Sequence, residues 1–243
     1  MKTHATIYCL CTALLWSCSS DKSAITSDPR DAGNPAQPVA CNEPATHTSV
    51  ATYYFEADGS GNCLFDATPS DPMVAALASN AYNGSYACGQ CIQVDGPDGS
   101  VTVRVVDSCP DCMNDQVDLH PQAFDGIAAR ELGRVDITWK VVPCDVSGAV
   151  RFHFKDGSNP YWTAVQIRNH RHGVAKLEAK QADGSYQELP RYDYNYFVAE
   201  QGLGDGPYEF RVTDIYGSQI TEAGIALGDN VERTGSTQFP ECI

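Results

Sequence analysis

Residues Val101 to Pro121 read VTVRVVDSCPDCMNDQVDLHP. Val101, Val103 and Val105 alternate with polar residues, which predicts a half-buried strand that delivers Asp107 to its end. Cys109 and Cys112 pinch the loop that follows, and a second acid, Asp118, comes after the loop. An acid at a strand end, held by a closed loop opposite another acid, is how a fold places carboxylates in a cleft. Asp is also a common turn residue, because its side chain caps nearby backbone N–H groups. Spacing alone leaves both readings open.

Around this stretch, other short alternating segments recur at Ser49–Phe55, Cys91–Asp95 and Val135–Val141. The turn Gly96-Pro97-Asp98-Gly99 joins the second segment to Val101–Val106 as a hairpin. One helix is expected from Pro121, with Phe124, Ile127, Ala128 and Leu132 at helical spacing and Gly133 as its cap. Many short strands with one or two helices outside them point to a small closed β-barrel over residues 41–145.

From residue 146 to 243 the pattern is almost all strand. Ala149–Lys155, Tyr161–Asn169, Val174–Lys180, Tyr192–Val198 and Tyr208–Asp214 are split by Gly, Asp and Pro turns, a spacing that reads as a β-sandwich. A linker of only a few residues, Cys144–Gly148, predicts two domains resting against each other. Tyr192, Tyr194 and Tyr196 alternate along one expected strand, and core filling explains Tyr192 and Tyr196. Tyr161 and Trp162 can share a surface only if a turn twists the strand start, since neighbours on a strand face opposite ways. Exposed rings in a row would form a platform for sugar faces, with Lys155 near enough to reach hydroxyls. His170 and His172, with no acid near in sequence, read as solvated loop residues.

The chain has 243 residues, with Lys+Arg 16 against Asp+Glu 31, a formal charge of −15. That balance repels phosphate backbones and anionic membranes, so nucleic acid is excluded as a partner. It disfavours acidic wall polymers and leaves neutral glucan or chitin. Lys2 and His4 precede an apolar run, Ala5 to Trp16, too short to span a membrane. The run ends in Leu15-Trp16-Ser17-Cys18, which is similar to a bacterial lipoprotein signal with Cys18 as the lipidated residue. Residues 1–18 are thus expected as an export signal, with an ordinary secretory signal as the alternative, and 19–40 as a flexible linker too poor in large apolar residues to build a core. The expected location is the cell envelope or the exterior.

Of 11 cysteines, Cys9, Cys11 and Cys18 fall in the first 18 residues, leaving eight. An even number in an exported chain predicts disulfides. Cys88-x-x-Cys91 and Cys109-x-x-Cys112 also have the spacing of a four-cysteine zinc site, but an oxidising compartment disfavours surviving thiolates, so no metal or other cofactor is expected.

Read together, these residues make the chain resemble a bacterial expansin over Thr48 to Glu241. The carrying motifs in the first domain are Ala51-Thr52-Tyr53, Cys88-Gly89-x-Cys91, Val105-Val106-Asp107, Val117-Asp118-Leu119 with Pro121-x-Ala123-Phe124, and Val141-Val142-Pro143-Cys144. In the second they are Gly157-Ser158, Tyr161-Trp162, Val165-Gln166-Ile167-Arg168-Asn169-His170 and Asp193-Tyr194-Asn195. The resemblance implies a mainly all-β chain: a six-stranded double-psi β-barrel followed by an immunoglobulin-like β-sandwich that binds carbohydrate. It implies that Thr52, Asp107 and Asp118 line a barrel groove, with Asp118 at the place of the catalytic acid of related endoglucanases, and that Lys155, Tyr161, Trp162 and Tyr194 form the binding platform. The implied activity is non-hydrolytic loosening of walls by a monomer that binds cellulose or another β-glucan, with chitin or peptidoglycan as further candidates. It also implies the bridge Cys91–Cys144. The remaining expected pairs are Cys109–Cys112 for its tight loop, Cys63–Cys88, and Cys41–Cys242 tying the chain ends.

Three departures stand out. Cys109 occupies the place of a groove tyrosine, Tyr161-Trp162 replaces a Trp-Trp pair, and Thr52-Tyr53-Tyr54-Phe55-Glu56 puts a carboxylate where hydrolytic relatives carry their base. Inverting hydrolysis needs acid and base about 6.5–9.5 Å apart. Glu56 with Asp118 would serve an endoglucanase-like or peptidoglycan lytic enzyme, and a lytic transglycosylase needs only one acid, Asp107 or Asp118. The plainer reading has Glu56 facing water at the start of the Asp58-Gly59-Ser60-Gly61 turn.

Overall fold

The computed structural model describes residues 41–242. The expected signal, Cys18 and the linker to residue 40 lie outside the described residues. The barrel strands are β1 (His47–Tyr53), β2 (Val74–Ala78), β3 (Cys91–Asp95), β4 (Ser100–Cys109), β5 (Val117–Leu119) and β6 (Val135–Val142). A one-turn helix α1 (Ser79–Tyr82) follows β2, and α2 (Pro121–Asp125) follows β5. The six strands close in the order β1-β5-β2-β4-β3-β6. The pairs β1/β5 and β2/β4 are parallel, and the other four are antiparallel. Ile92, Val94, Val103, Val105, Val117, Leu119, Ile137 and Trp139 are buried together inside the barrel.

Two four-stranded sheets follow. One is β10-β9-β12-β13, built from β9 (Val174–Lys180), β10 (Tyr186–Glu188), β12 (Tyr208–Asp214) and β13 (Gln219–Ile225). The other is β11-β8-β7-β14, built from β7 (Arg151–Phe154), β8 (Thr163–Arg168), β11 (Phe197–Ala199) and β14 (Val231–Thr234). Residues of both sheets share one core, where Phe152 of β7 stacks on Phe210 of β12 at 5.4 Å. Fully buried rings of this size stabilise a fold by roughly 1.5–3 kcal/mol each.

The expected strands at Cys91–Asp95, Val174–Lys180 and Tyr208–Asp214 stand with those bounds. The hairpin turn closes with Gly96 N–H donating to Gly99 O at 2.9 Å. Two expectations are corrected. The single helix to Leu132 stops at Asp125 and resumes only as a 3-10 turn, Arg130–Leu132. A Cβ on Gly126 would sit 2.4 Å from Val101 Cγ1, so the chain lies flat against β4 there, and Leu132 ends 58% exposed. The three tyrosines do not share a strand either. Tyr192 to Tyr196 form a turn, in which Tyr192 N–H donates to Tyr196 O and Asn195 takes a φ of +66°. Asn tolerates that left-handed conformation, and strand pairing begins only at Phe197.

All four expected disulfides form: Cys41–Cys242, Cys63–Cys88, Cys91–Cys144 and Cys109–Cys112. Each Cys-x-x-Cys pair therefore serves disulfides.

Barrel and sandwich meet through polar pins. Half-buried Arg191 donates to Ser85 Oγ and Ser85 O in the barrel, and to Val174 O and Asn195 Oδ1 in the sandwich. Its guanidinium also lies over the rings of Tyr86 and Phe197. Burial lowers its pKa to about 10. Gln166 and Asn195 both donate to Cys63 O.

Candidate functional site

Strand register builds a row of four residues across the barrel. β1 sets Thr52 opposite Asp118, and β2 sets Ala76 opposite Asp118 on one side and Asp107 on the other. Two strand spacings separate the acids, roughly 9–10 Å between Cα atoms. Ala51, Val117 and Leu119, which flank Thr52 and Asp118 in sequence, point into the core, so the row faces away from it.

A bulge aims Asp107. Pairing jumps from Ala75↔Val105 to Ala76↔Asp107, which leaves Val106 without a partner on β2. The extra residue shifts the phase of the strand, so Val105 and Val106 are both buried and Asp107 turns outward. Regular alternation would have sent Asp107 inward with Val103 and Val105. The orphaned carbonyl of Val106 accepts from Cys63 N–H at 3.1 Å. Asp107 Oδ1 accepts from the backbone N–H groups of Asn62 and Ser108, at 2.7 and 2.8 Å. Gly61 makes this cradle possible: its φ is +152°, and a Cβ there would lie 2.5 Å from Asp107 Cγ.

Asp118 is held by a relay. Gln116 Nε2 donates to Thr52 Oγ1 at 3.0 Å, and Thr52 Oγ1 donates to Asp118 Oδ1 at 2.5 Å. Burial raises the Asp118 pKa, against the opposing pull of the Thr52 hydrogen bond. The sulfurs of Cys109 and Cys112 and a carboxylate oxygen of Asp118 lie within 4.8 Å of one another. The residue standing at the family's tyrosine place thus walls the acid with a disulfide. The Tyr54 hydroxyl is buried without a hydrogen-bond partner. Burial first, then the charges of Asp107, Asp118 and Asp58, push its pKa well up. Glu56 is exposed in the turn after β1, as the plainer reading has it.

The platform residues are carried by turns. Asn159 and Trp162 pair across a tight turn with Tyr161 at its tip, 82% exposed. Gly202, at φ +71°, packs so close that a Cβ would lie 2.0 Å from Pro160 O. Trp162 and Tyr194 pack on the same small cluster of Ala164, Tyr196 and Val198. Tyr194 sits 5.5 Å from Tyr192 and 6.0 Å from Tyr196, ring to ring. Lys155 is half-buried at the end of β7, its N–H donating to Ala164 O.

Asn62 joins the two parts. Its N–H holds Asp107, while its Nδ2 donates to Tyr82 Oη at 2.9 Å and to Asp193 O at 3.1 Å, next to Tyr194. Tyr82 Oη donates to Asp193 O as well, and burial raises its pKa to about 12. A cleft of about 630 Å³, lined by Phe65, Arg104, Arg168 and His170 among others, holds none of the row or platform residues.

Comparison with known proteins agrees with this geometry. No family model matches the chain. Expansin-YoaJ of Bacillus subtilis (strain 168) is 35% identical over 206 residues, covering 80% of this chain and 87% of that one. Expansin-like protein 2 of Dictyostelium discoideum is 35% identical over 200 residues, covering 76% of this chain and 49% of that one. This chain belongs to the expansin family. The crystal structure of apo Clavibacter michiganensis expansin superposes with a TM-score of 0.75 at 31% identity, covering 81% of this chain and 99% of that one. A mutant of the Clavibacter expansin, solved with cellohexaose, matches with the same TM-score at 30% identity.

Reading the sequence singled out Thr52, Asp107 and Asp118 but missed Asn62, Ala76, Tyr82, Gln116 and Arg191. Gln116 carried one usable signal, because it lies two residues before Asp118 and so shares its strand face. The two histidines are corrected: His170 and His172 are 4% and 2% exposed, and His172 Nδ1 meets Asp214 Oδ2 at 2.8 Å. Asp214 is 42 residues away in sequence, beyond any local pattern. Burial lowers the His170 pKa to about 4.

Proposed function

We propose that this chain binds cellulose-type β-glucan along the aromatic platform and the acid row, and loosens wall polymers without cleaving them. The observation that carries this reading is the Asn62 junction, which ties an open set of rings to a row of acids as one surface. Tyr161, Trp162 and Tyr194 supply flat apolar faces for pyranose rings, and Lys155 supplies donors for their hydroxyls. Asp107, Asp118 and Thr52 would engage hydroxyls of the next sugars along the chain. Asp118, with its raised pKa and its Thr52 donor, suits hydrogen bonding to sugar hydroxyls, while Glu56 faces solvent in a turn. That a Clavibacter expansin has been solved with cellohexaose supports a glucan as the polymer.

The test is pull-down on cellulose, xylan, chitin and peptidoglycan with soluble products measured in the same samples. Binding to cellulose without product release is the expected result. Product release abolished by both Asp118→Asn and Glu56→Gln would replace this reading with an enzyme. We further propose export with lipidation at Cys18 and action as a monomer at the cell envelope. Labelling with a palmitate analogue, lost in Cys18→Ala, checks the anchor.

A further inference from the structure

We propose that Cys41–Cys242 is a thiol-exchange site: a small-molecule thiol opens it by bonding to Cys41, and Cys242 leaves as a thiolate paired with His172. The bridge does not stand alone. His172 Nε2 lies 3.4 Å from Cys242 Sγ, and the other ring nitrogen, Nδ1, meets Asp214 Oδ2 at 2.8 Å. Asp214 is fixed in turn, because its Oδ1 accepts from the N–H groups of Tyr216 and Ser218 at 2.9 and 2.8 Å. The side chains of His172 and Asp214 are fully buried. Tyr216 packs edge-on at 5.0 Å from the imidazole, and Phe239 stacks at 6.1 Å. A carboxylate on Nδ1 makes that nitrogen the N–H donor and leaves the Nε2 lone pair facing sulfur. A nucleophilic thiol is ordinarily activated by the same order of groups: sulfur, imidazole, carboxylate.

The exchange is balanced as follows. The thiol ionises, and its sulfur bonds to Cys41 Sγ as the Cys41–Cys242 bond breaks. The electron pair of that bond goes to Cys242 Sγ, and the proton given up by the thiol is taken up at His172 Nε2. The products are a mixed disulfide on Cys41 and a Cys242 thiolate facing an imidazolium, which Asp214 stabilises. Exchange is faster when the departing thiol has a low pKa, and a neighbouring imidazolium lowers it.

The other three bridges lack these features. Cys63, Cys88, Cys91 and Cys144 are all buried, with exposures of 0%, 0%, 9% and 5%. Cys109 and Cys112 lie against the Asp118 carboxylate, whose charge opposes a departing thiolate. Cys242 also borders a cavity of about 320 Å³ with Arg171 and Glu241, which gives the released thiol room for an electrophile. Among the described residues, the charged groups around the pair are Asp214 on His172, and Arg171, Glu241 and Asp145 on the cavity beside Cys242.

The experiment exposes the folded protein to glutathione, alkylates with iodoacetamide and maps peptides by mass. Glutathione on Cys41 and the alkyl group on Cys242, with the other six cysteines still paired, is the expected result. Asp214→Asn is expected to slow opening about tenfold and to spread glutathione over both cysteines. A merely exposed bridge would give the same distribution in both proteins. A second measurement avoids the buried pair: in Cys41→Ser, the Cys242 thiol should alkylate with a midpoint well below the ordinary thiol value of about 8.5. Glutathione on Cys242, prior opening of another bridge, or an ordinary alkylation midpoint would each overturn the proposal.

Discussion

Thr52, Asp118, Ala76 and Asp107 are placed by strand register, whereas Tyr161, Trp162 and Tyr194 are placed by turns. In the barrel, Asp118 and Ala76 are held by ladders on both sides, Thr52 and Asp107 by one each, and a single bulge at Val106 sets the direction of Asp107. On the sandwich, the rings hang from loops held by an Asn at positive φ, an Asn159 turn and a glycine pressed on Pro160. A register site resists substitution at its rim but fails at one residue of phase; a turn site loses its residues one at a time. Substitutions should therefore act in different ways on the two halves.

The largest effect is expected at the junction between them. Arg191→Ala strands buried acceptors on both sides, Ser85 O, Val174 O and Asn195 Oδ1, and should cost roughly 3 kcal/mol of stability, read as a lower midpoint in urea. A loss under about 0.5 kcal/mol would mean the pins are not what joins barrel to sandwich. Next comes Asp118→Asn, for which wall-extension activity should fall at least about tenfold while cellulose pull-down changes little, about 1.4 kcal/mol set against almost none. Unchanged extension would leave the acid row as scaffold.

On the platform, Trp162→Ala should weaken cellulose binding about tenfold and cost some stability, because the ring also packs on Ala164, Tyr196 and Val198. Tyr161→Ala should weaken binding only a fewfold, with no change in melting temperature, since the ring is 82% exposed. Equal effects of the two on stability would undo the idea that the platform comes apart residue by residue.

The smallest expected effect concerns pH. Burial raises the Asp118 pKa in the folded state, so folding favours the protonated form and works against the ionised one. Stability supplied by the protonated acid is thus fully present below the unfolded value of about 3.9 and is lost as pH rises through the folded value. Asp118→Asn should then melt slightly higher than the parent at pH 7, and the gain should vanish near pH 3. A variant that melts lower at pH 7 would show that the Thr52 hydrogen bond outweighs burial.

How much of this was legible depends on sequence distance. β3, β9 and β12 carry plain alternation, and the Val101 to Pro121 stretch announced its two acids. The disulfide set also followed from the chain, aided by family resemblance. What was hidden lies in long-range pairing. β2 reads VAALA, an apolar run with no alternation, because both of its faces are covered. β5 has only three residues, too few to show a period. Tyr192, Tyr194 and Tyr196 alternate as a strand would, yet Asn195 breaks the chain into a turn. His172 looked solvated because Asp214 reaches it only through the fold.

The Asn62 junction has a mechanical side. A polymer under tension on the aromatic rings would pull first on the 192–196 turn, and Asp193 O is bonded to both Asn62 and Tyr82. Asn62 passes that load to Asp107 and, through the adjoining Cys63 N–H on Val106 O, to the β4 wall of the barrel. Cys91–Cys144 ties the start of the connecting segment to β3. Force applied at one end of the bound chain would arrive at the carboxylates at the other.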